Sequence, residues 1–379
     1  MMVKRSIGYI VLGALFLMLA SVVGIAAHPL ELAVIAAQSG QAEAYGLQAI
    51  QGVQIAIDEI NAKGGLLGHP VEIVIFDNQS RPLNAKQAAE KAISRQVLAV
   101  VGDMWSTHSL AVAPLLQKAG IPMVSPGSTA PDVTRVGDYI FRTVYTDDFQ
   151  GRLMAEFALS SLNARTAAVL ININETYSQL LGDFFLKAFT AGNGRIVFQG
   201  GYKGSAVDFS DMLTRLKPLE PDVVFIPGYS RDSGLIVKQA AAMEISTTFL
   251  GGDAWEMVIG DFAGQALEGS YFSTPWHPSV PYPRSREFIA RFYATFGDDP
   301  ISPFAALAYD AVGVIAAAAK RCNSLDRSRL RKALSETRSY PGATGNLTFD
   351  VYGDPLKKGA SILKFENGGW VFFKAFEPR

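Results

Sequence analysis

The sequence predicts an α/β fold of two doubly wound, parallel-sheet lobes. Three observations predict it. From Leu30 onward, short β-branched runs alternate with amphipathic segments. Several of these runs are almost wholly apolar, Val97-Leu98-Ala99-Val100-Val101 being the clearest, as parallel strands covered on both faces are. The alternation also comes in two blocks, separated by Arg142-Thr143-Val144-Tyr145-Thr146, an extended stretch without a helical pattern.

The elements follow in order. Strands are expected at Glu31–Ala37, Val71–Asp77, Val97–Gly102 and Pro122–Ser125 in the first block. The second block places them at Thr166–Ile173, Arg195–Tyr202, Asp222–Pro227 and Thr248–Gly252. Between them, Leu47–Lys63 sets Ile50, Val53, Ile57 and Ile60 on one stripe and stops at Gly64-Gly65, a helix exit. Further helices are expected at Pro82–Ser94, Ser109–Ala119, Phe149–Leu162, Ser178–Ala191, Phe209–Lys217 and Ser230–Ala242. Beyond Asp253 the alternation breaks down. Helices are expected at Phe288–Phe296 and Phe304–Arg321. Antiparallel strands follow at Gly345–Asp350, Ile362–Phe365 and Trp370–Phe373, with turns at Gly353-Asp354 and Gly368-Gly369.

Composition narrows the function. The 379 residues hold 34 Lys+Arg against 35 Asp+Glu, and no basic face is concentrated anywhere, which argues against a nucleic-acid partner. At 49% hydrophobic and 18% charged residues the chain buries a large core and is not disordered. Cys322 stands alone, which excludes a disulfide framework and any multi-cysteine metal centre. His28, His69, His108 and His277 are too far apart in sequence for a local metal motif.

The first stretch reads as an export address. Lys4 and Arg5 precede the uncharged run Ile7–Ala27, which ends in the small residues Gly24, Ala26 and Ala27. The run suits a cleaved signal peptide and is also long enough for a retained anchor. Either way, the bulk of the chain is expected outside the cytoplasmic membrane.

A doubly wound fold raises the question of nucleotide enzymes. The first strand is followed by Ala36-Ala37-Gln38-Ser39-Gly40-Gln41, which is no dinucleotide fingerprint, and there is neither a phosphate loop nor a nucleophile elbow. His108 among hydroxyls reads as a surface or cap residue, and Asp147-Asp148 and Asp298-Asp299 read as helix caps and solvated charge. No enzyme activity, no cofactor and no metal are expected.

Open α/β sheets hold ligands at the carboxyl ends of their strands. After Gly102 come Asp103-Met104-Trp105-Ser106-Thr107, where backbone N–H groups and the Ser106 hydroxyl suit an anion, though the same residues equally suit a helix cap. Ser125-Pro126-Gly127-Ser128-Thr129-Ala130-Pro131 forms a tight loop that presents Ser128 and Thr129. In the second block Tyr177, Tyr229 and Asp253 each follow a strand. An anion site on one lobe facing an acid on the other makes a place for a zwitterion.

These residues carry a resemblance. Asp58-Glu59-Ile60-Asn61-Ala62-Lys63-Gly64-Gly65 (with Gly46 upstream), Val101-Gly102 with Ser106, and Gly120 through Thr129 contribute to it. So do Asp208-Phe209-Ser210 and Gly345 through Asp350. The chain resembles the branched-chain amino-acid-binding proteins of bacterial ABC importers, the leucine/isoleucine/valine family of type I periplasmic binding proteins, over essentially all of Pro29–Pro378. The resemblance implies three crossovers between the lobes, near Thr143–Thr146, Thr274-Pro275 and Ser339–Gly345. Residues 28–145 plus 277–340 would form one lobe and 146–276 plus 341–379 the other. It also implies roles at the site. The ligand carboxylate falls to Ser106 and the Thr129 N–H, and the ammonium to the Thr129 hydroxyl, the Ser128 carbonyl and Asp253. Tyr177 and Tyr229 close from the second lobe, while Tyr45, Met104, Trp105 and Phe304 lie near the ligand side chain.

The expected function is therefore hinge-closing capture of an α-amino acid, branched-chain or otherwise apolar, by a monomer that hands it to a membrane ABC permease. An amide, urea or aromatic-acid binding protein, or a tethered sensor, are the alternatives. Two departures bear on the ligand. Trp105 stands where better-known members carry a small disulfide-paired residue, and Trp255 lies two residues after Asp253; both indoles could shrink the pocket or stack on an aromatic guest.

Overall fold

The computed structural model describes residues 28–256 and 258–376. The export segment Ile7–Ala27 lies outside the described residues. The chain opens with β1 (Leu30–Ala36), α1 (Glu43–Ala62), β2 (Val71–Asp77), α2 (Pro82–Ser94), β3 (Ala99–Gly102), α3 (Ser106–Ala119), β4 (Met123–Ser125) and β5 (Ile140–Arg142). These strands form a parallel sheet in the order β2-β1-β3-β4-β5. A helix α4 (Asp147–Ser160) leads into β6 (Thr166–Asn172), α5 (Thr176–Ala191), β7 (Arg195–Tyr202), α6 (Ser210–Leu216), β8 (Val223–Ile226) and α7 (Ser230–Ala242). Next come β9 (Thr248–Gly251), the short α8 (Ile259–Ala263) and β10 (Tyr271–Thr274). The chain continues through α9 (Pro283–Phe296), α10 (Pro303–Cys322), α11 (Arg327–Ser335), a small hairpin of β11 (Tyr340–Gly342) and β12 (Gly345–Leu347), and finally β13 (Ala360–Glu366) and β14 (Gly369–Phe376). The second sheet runs β14-β13-β10-β9-β8-β6-β7, parallel from β10 to β7 and antiparallel where β13 and β14 extend it.

Close approach decides where the helices sit. A Cβ on Gly46 of α1 would lie 1.9 Å from the Ala37 carbonyl oxygen, and one on Gly52 would lie 1.9 Å from that of Ala305. Only glycine lets α1 pack this tightly on the end of β1 and on α10. Helix α10 is apolar and long enough by composition to cross a membrane, yet Phe304–Ala306 and Val314–Ala316 are buried within the core of the first half. Ala33 and Ile35 face α2 and α3, and Leu32 and Val34 face α1 and α10, so β1 is covered on both sides.

The differences from expectation have physical reasons. Strands β5 and β10 are too short to show a period, and β5 ends in Arg142, a residue that reads as surface but is fully buried here. Helix α11, Arg-Ser-Arg-Leu-Arg-Lys-Ala-Leu-Ser, is short and highly charged, and its apolar stripe is only Leu330, Ala333 and Leu334. The expected strand Gly345–Asp350 stops at Leu347, because its partner β11 spans only Tyr340–Gly342. The expected turn at Gly353-Asp354 is present, closed by an antiparallel bridge between Phe349 and Pro355 and by Gly353 N–H donating to the Asp350 carbonyl. The Gly353 carbonyl accepts from Arg142 N–H, and Asp354 pairs with the Arg142 side chain at 2.6 Å.

Candidate functional site

The site forms where the carboxyl ends of the two sheets face each other. On the first half, β3 exits into Asp103, whose carboxylate accepts the backbone N–H of Met104 at 2.6 Å and of Trp105 at 3.3 Å. This turn fixes the start of α3 and points Trp105 and Ser106 into the cleft. The loop after β4 is fastened to it from behind. Ser125 and Ser128 hydroxyls donate to the Asp103 carbonyl at 2.7 and 3.1 Å, and Ala130 N–H donates to the Ser106 hydroxyl at 3.1 Å. Arg142 locks the loop with its fork, donating to the Ser128 carbonyl at 2.6 Å and the Ala130 carbonyl at 2.8 Å.

On the second half, Asp253 leaves β9 fully inside the protein. Its Oδ1 accepts from Gln150 Nε2 and from the Tyr177 hydroxyl, both at 2.9 Å. Both donors are neutral, and burial pushes the Asp253 carboxyl up to about 6. Asp147, in the first turn of α4, is also fully buried, and neither of its carboxylate oxygens has a partner in normal hydrogen-bond geometry. Burial raises it well above the usual carboxylate range, and the nearby Asp253 charge adds to the rise; the adjacent Thr129 hydroxyl and Arg142 oppose it without cancelling it.

Four rings form a continuous stack across the cleft. His108 lies 5.4 Å from Trp105, Trp105 lies 3.7 Å from Tyr229 at an interplanar angle of 12°, and Tyr229 lies 5.4 Å from Tyr177. Tyr45 closes the side, its hydroxyl donating to the Ala254 carbonyl at 2.7 Å and lying 2.8 Å from Ser230 Oγ. Thr107 on α3 donates to Glu175 across the same gap at 2.7 Å.

Of the residues expected at the site, Tyr45, Trp105, Ser106, Tyr177, Tyr229, Asp253 and Phe304 line one cavity, together with Met104, Gly127 and Ala254; its volume is about 10 Å³. Ser128 and Thr129 stand behind the lining. The Ser128 hydroxyl bonds the Asp103 carbonyl and the Ser109 hydroxyl of α3, and its carbonyl faces Arg142, while Thr129 sits beside Asp147. A larger surface groove of about 770 Å³, bounded by Leu30, Arg95, Tyr139 and Arg327, lies by the amino ends of β1 and β3, away from the side where such sheets bind ligands.

Three sequence expectations are corrected here. Trp255 is not in the pocket: its indole N–H donates to the Ile226 carbonyl at 3.0 Å and its ring fills the core under Gly251. His108 is not a surface residue or a cap, being 2% exposed and 3.4 Å from Asp103. Asp147 is not solvated charge, although its neighbour Asp148 is, paired with Arg152 at 3.1 Å. Asp147 and Gln150 were missed because α4 begins right after a lobe crossing. Its first turn therefore faces the cleft instead of water.

Comparison with known proteins agrees with this architecture. The sequence profile of the periplasmic binding protein family matches residues 29–368. The Leu/Ile/Val-binding protein BraC3 of Rhizobium johnstonii is 30% identical over 339 residues, 89% of this chain and 92% of that protein. The crystal structure of the leucine-binding protein LivK from Thermotoga maritima superposes with a TM-score of 0.88 at 33% identity, covering 92% of this chain and 99% of that one. The LivJ substrate-binding protein of a Streptococcus pneumoniae branched-chain amino-acid transporter, solved with isoleucine, gives 0.87 at 29% identity, over 92% and 100%. With its two hinged α/β lobes, the chain belongs to the periplasmic binding protein family, among the relatives of the Leu/Ile/Val-binding proteins.

Proposed function

We propose that this chain captures an α-amino acid in the cleft outside the cytoplasmic membrane and delivers it to a membrane ABC permease. The observation that carries the reading is Asp253, a fully buried carboxylate held only by neutral donors and set across a small cavity from Ser106 and the start of α3. A buried carboxylate without a cation is costly, and an incoming ammonium removes that cost. The start of α3 and the Ser106 hydroxyl take the carboxylate end. Each lobe thus satisfies one end of a zwitterion, and only the closed form satisfies both, so the guest shifts the population toward closure. The lobes in this reading are 28–145 plus 277–340 and 146–276 plus 341–379, the chain acts as a monomer, and the segment Ile7–Ala27 either directs export or tethers the chain.

An aromatic acid or an amide fits less well, since neither brings a positive end to Asp253. Calorimetry separates the readings. An α-amino acid binds, while its amide and its decarboxylated amine bind at least tenfold more weakly. Equal affinity for the amide rules out a carboxylate site at Ser106.

A further inference from the structure

We propose that Trp105 limits the guest to α-amino acids with a very small side chain, of the size of alanine or serine, and excludes leucine and phenylalanine. This rests on the amino-acid reading of the cleft and deepens it. The indole is 4% exposed and is held on both faces, by Tyr229 of the second lobe at 3.7 Å and by His108 at 5.4 Å. Its backbone is equally fixed, because the Trp105 N–H donates to Asp103 and its carbonyl accepts from His108 and Ser109 N–H at 3.1 and 2.9 Å. Moving the backbone would unwind the first turn of α3.

What remains beside the indole is about 10 Å³, room for roughly one water. To lie between Trp105 and Tyr229, an aliphatic side chain would have to part them by roughly a further 3.5–4 Å, a van der Waals separation. Such an opening breaks the 2.7 Å bonds from Tyr45 to the Ala254 carbonyl and from Thr107 to Glu175, both of which span the lobes. A small guest also has to widen this space, but only at its polar end and without parting Trp105 from Tyr229. It occupies the polar end, between Ser106 and Asp253, and leaves the rings in contact. The buried Trp105 indole Nε1–H, which bonds to no protein acceptor among the described residues, then offers a donor to a guest oxygen.

The test is calorimetry on the full chain, freed of carried-over guest, against glycine, alanine, serine, leucine, isoleucine and phenylalanine. In the wild type, alanine or serine binds at least tenfold tighter than leucine. In Trp105→Ala, the ratio of leucine to alanine affinity rises at least tenfold, and Trp105→Leu falls between. A wild type that prefers leucine or phenylalanine overturns the inference while leaving the amino-acid reading intact, and so does a Trp105→Ala variant with unchanged selectivity. Binding of no amino acid at all overturns both. Should the variants fail to fold, the wild-type order of affinities decides alone.

Discussion

Asp253→Asn separates what the carboxylate costs the fold from what it gives the ligand. Burial raises this carboxyl from its ordinary 3.8 to about 6. At about 1.36 kcal/mol per pH unit, that costs the folded protein about 3 kcal/mol near neutral pH. The sign follows from linkage. Between pH 3.8 and 6 the folded state binds a proton that the unfolded state does not, so the cost is full above pH 6 and fades as the pH falls through that window. Asparagine keeps an acceptor for Gln150 and Tyr177 and carries no charge. The ligand-free variant is therefore expected to melt roughly 5 °C higher at pH 7.5 and to lose most of that gain by pH 4. Binding moves the other way. Removing one partner of a desolvated charge pair costs about 2–5 kcal/mol, roughly 30- to 5,000-fold in the dissociation constant. Scanning calorimetry without ligand and titration calorimetry with alanine and leucine read both quantities. A variant that melts no higher and binds within threefold of the wild type refutes the reasoning.

Other outcomes follow from the same geometry. Ligand affinity falls as the pH drops below about 6, by up to tenfold per unit, because the protonated Asp253 offers the ammonium no charge; titrations from pH 8 to 5 show this in the wild type and not in Asp253→Asn. Gly252→Ala puts a Cβ 2.3 Å from the Tyr177 hydroxyl and 2.4 Å from Gln150 Oε1, so it forces both donors off Asp253 and weakens binding by about 1–3 kcal/mol, measured by calorimetry. Tyr45→Phe removes the hydroxyl that bridges to Ala254 and Ser230, and raises the ligand off-rate about five- to tenfold in stopped flow with little change in melting temperature.

The fold was legible because its signals are local and repeated. Apolar runs such as Val97–Val101 and stripes such as Ile50-Val53-Ile57-Ile60 announce their elements without reference to the rest of the chain. Strands β5 and β10 were not legible, being three and four residues long and defined only by their neighbours in the sheet. The site divides along the same line. Tyr177, Tyr229 and Asp253 could be found because the strand before each marks where the chain leaves the sheet. His108, Asp147 and Gln150 sit in the first turns of α3 and α4, where a polar residue ordinarily meets water; tertiary neighbours bury them, Asn78, Asp103 and Trp105 around His108, Thr129 beside Asp147 and Asp253 beside Gln150. Trp255 shows the converse. Two residues from Asp253 in sequence, it turns its ring to the opposite side of a short 3₁₀ turn and packs beneath Gly251, and sequence separation alone cannot tell those sides apart.

The closed cleft also explains why such a site tolerates its own strain. Asp147 and Asp253 are both buried, each raises the cost of the other's charge, and neither is paired with a cation. In the proposed capture that cost opposes closure, while the ring stack and the Tyr45 and Thr107 bonds favour it. An ammonium placed against Asp253 would offset that cost without disturbing the contacts that already favour closure. Discrimination against neutral guests would then reside in the charge pattern, because a neutral guest of the same shape meets the same rings and leaves the two carboxyls as they were. The crossovers meanwhile keep a fixed path, since the buried Arg142–Asp354 ion pair and the hydrogen bonds from Ala343 and Thr344 N–H to Asp310 hold them outside the cleft lining. In the proposed function, ligand charge therefore acts on the balance between open and closed lobes, not on the integrity of either.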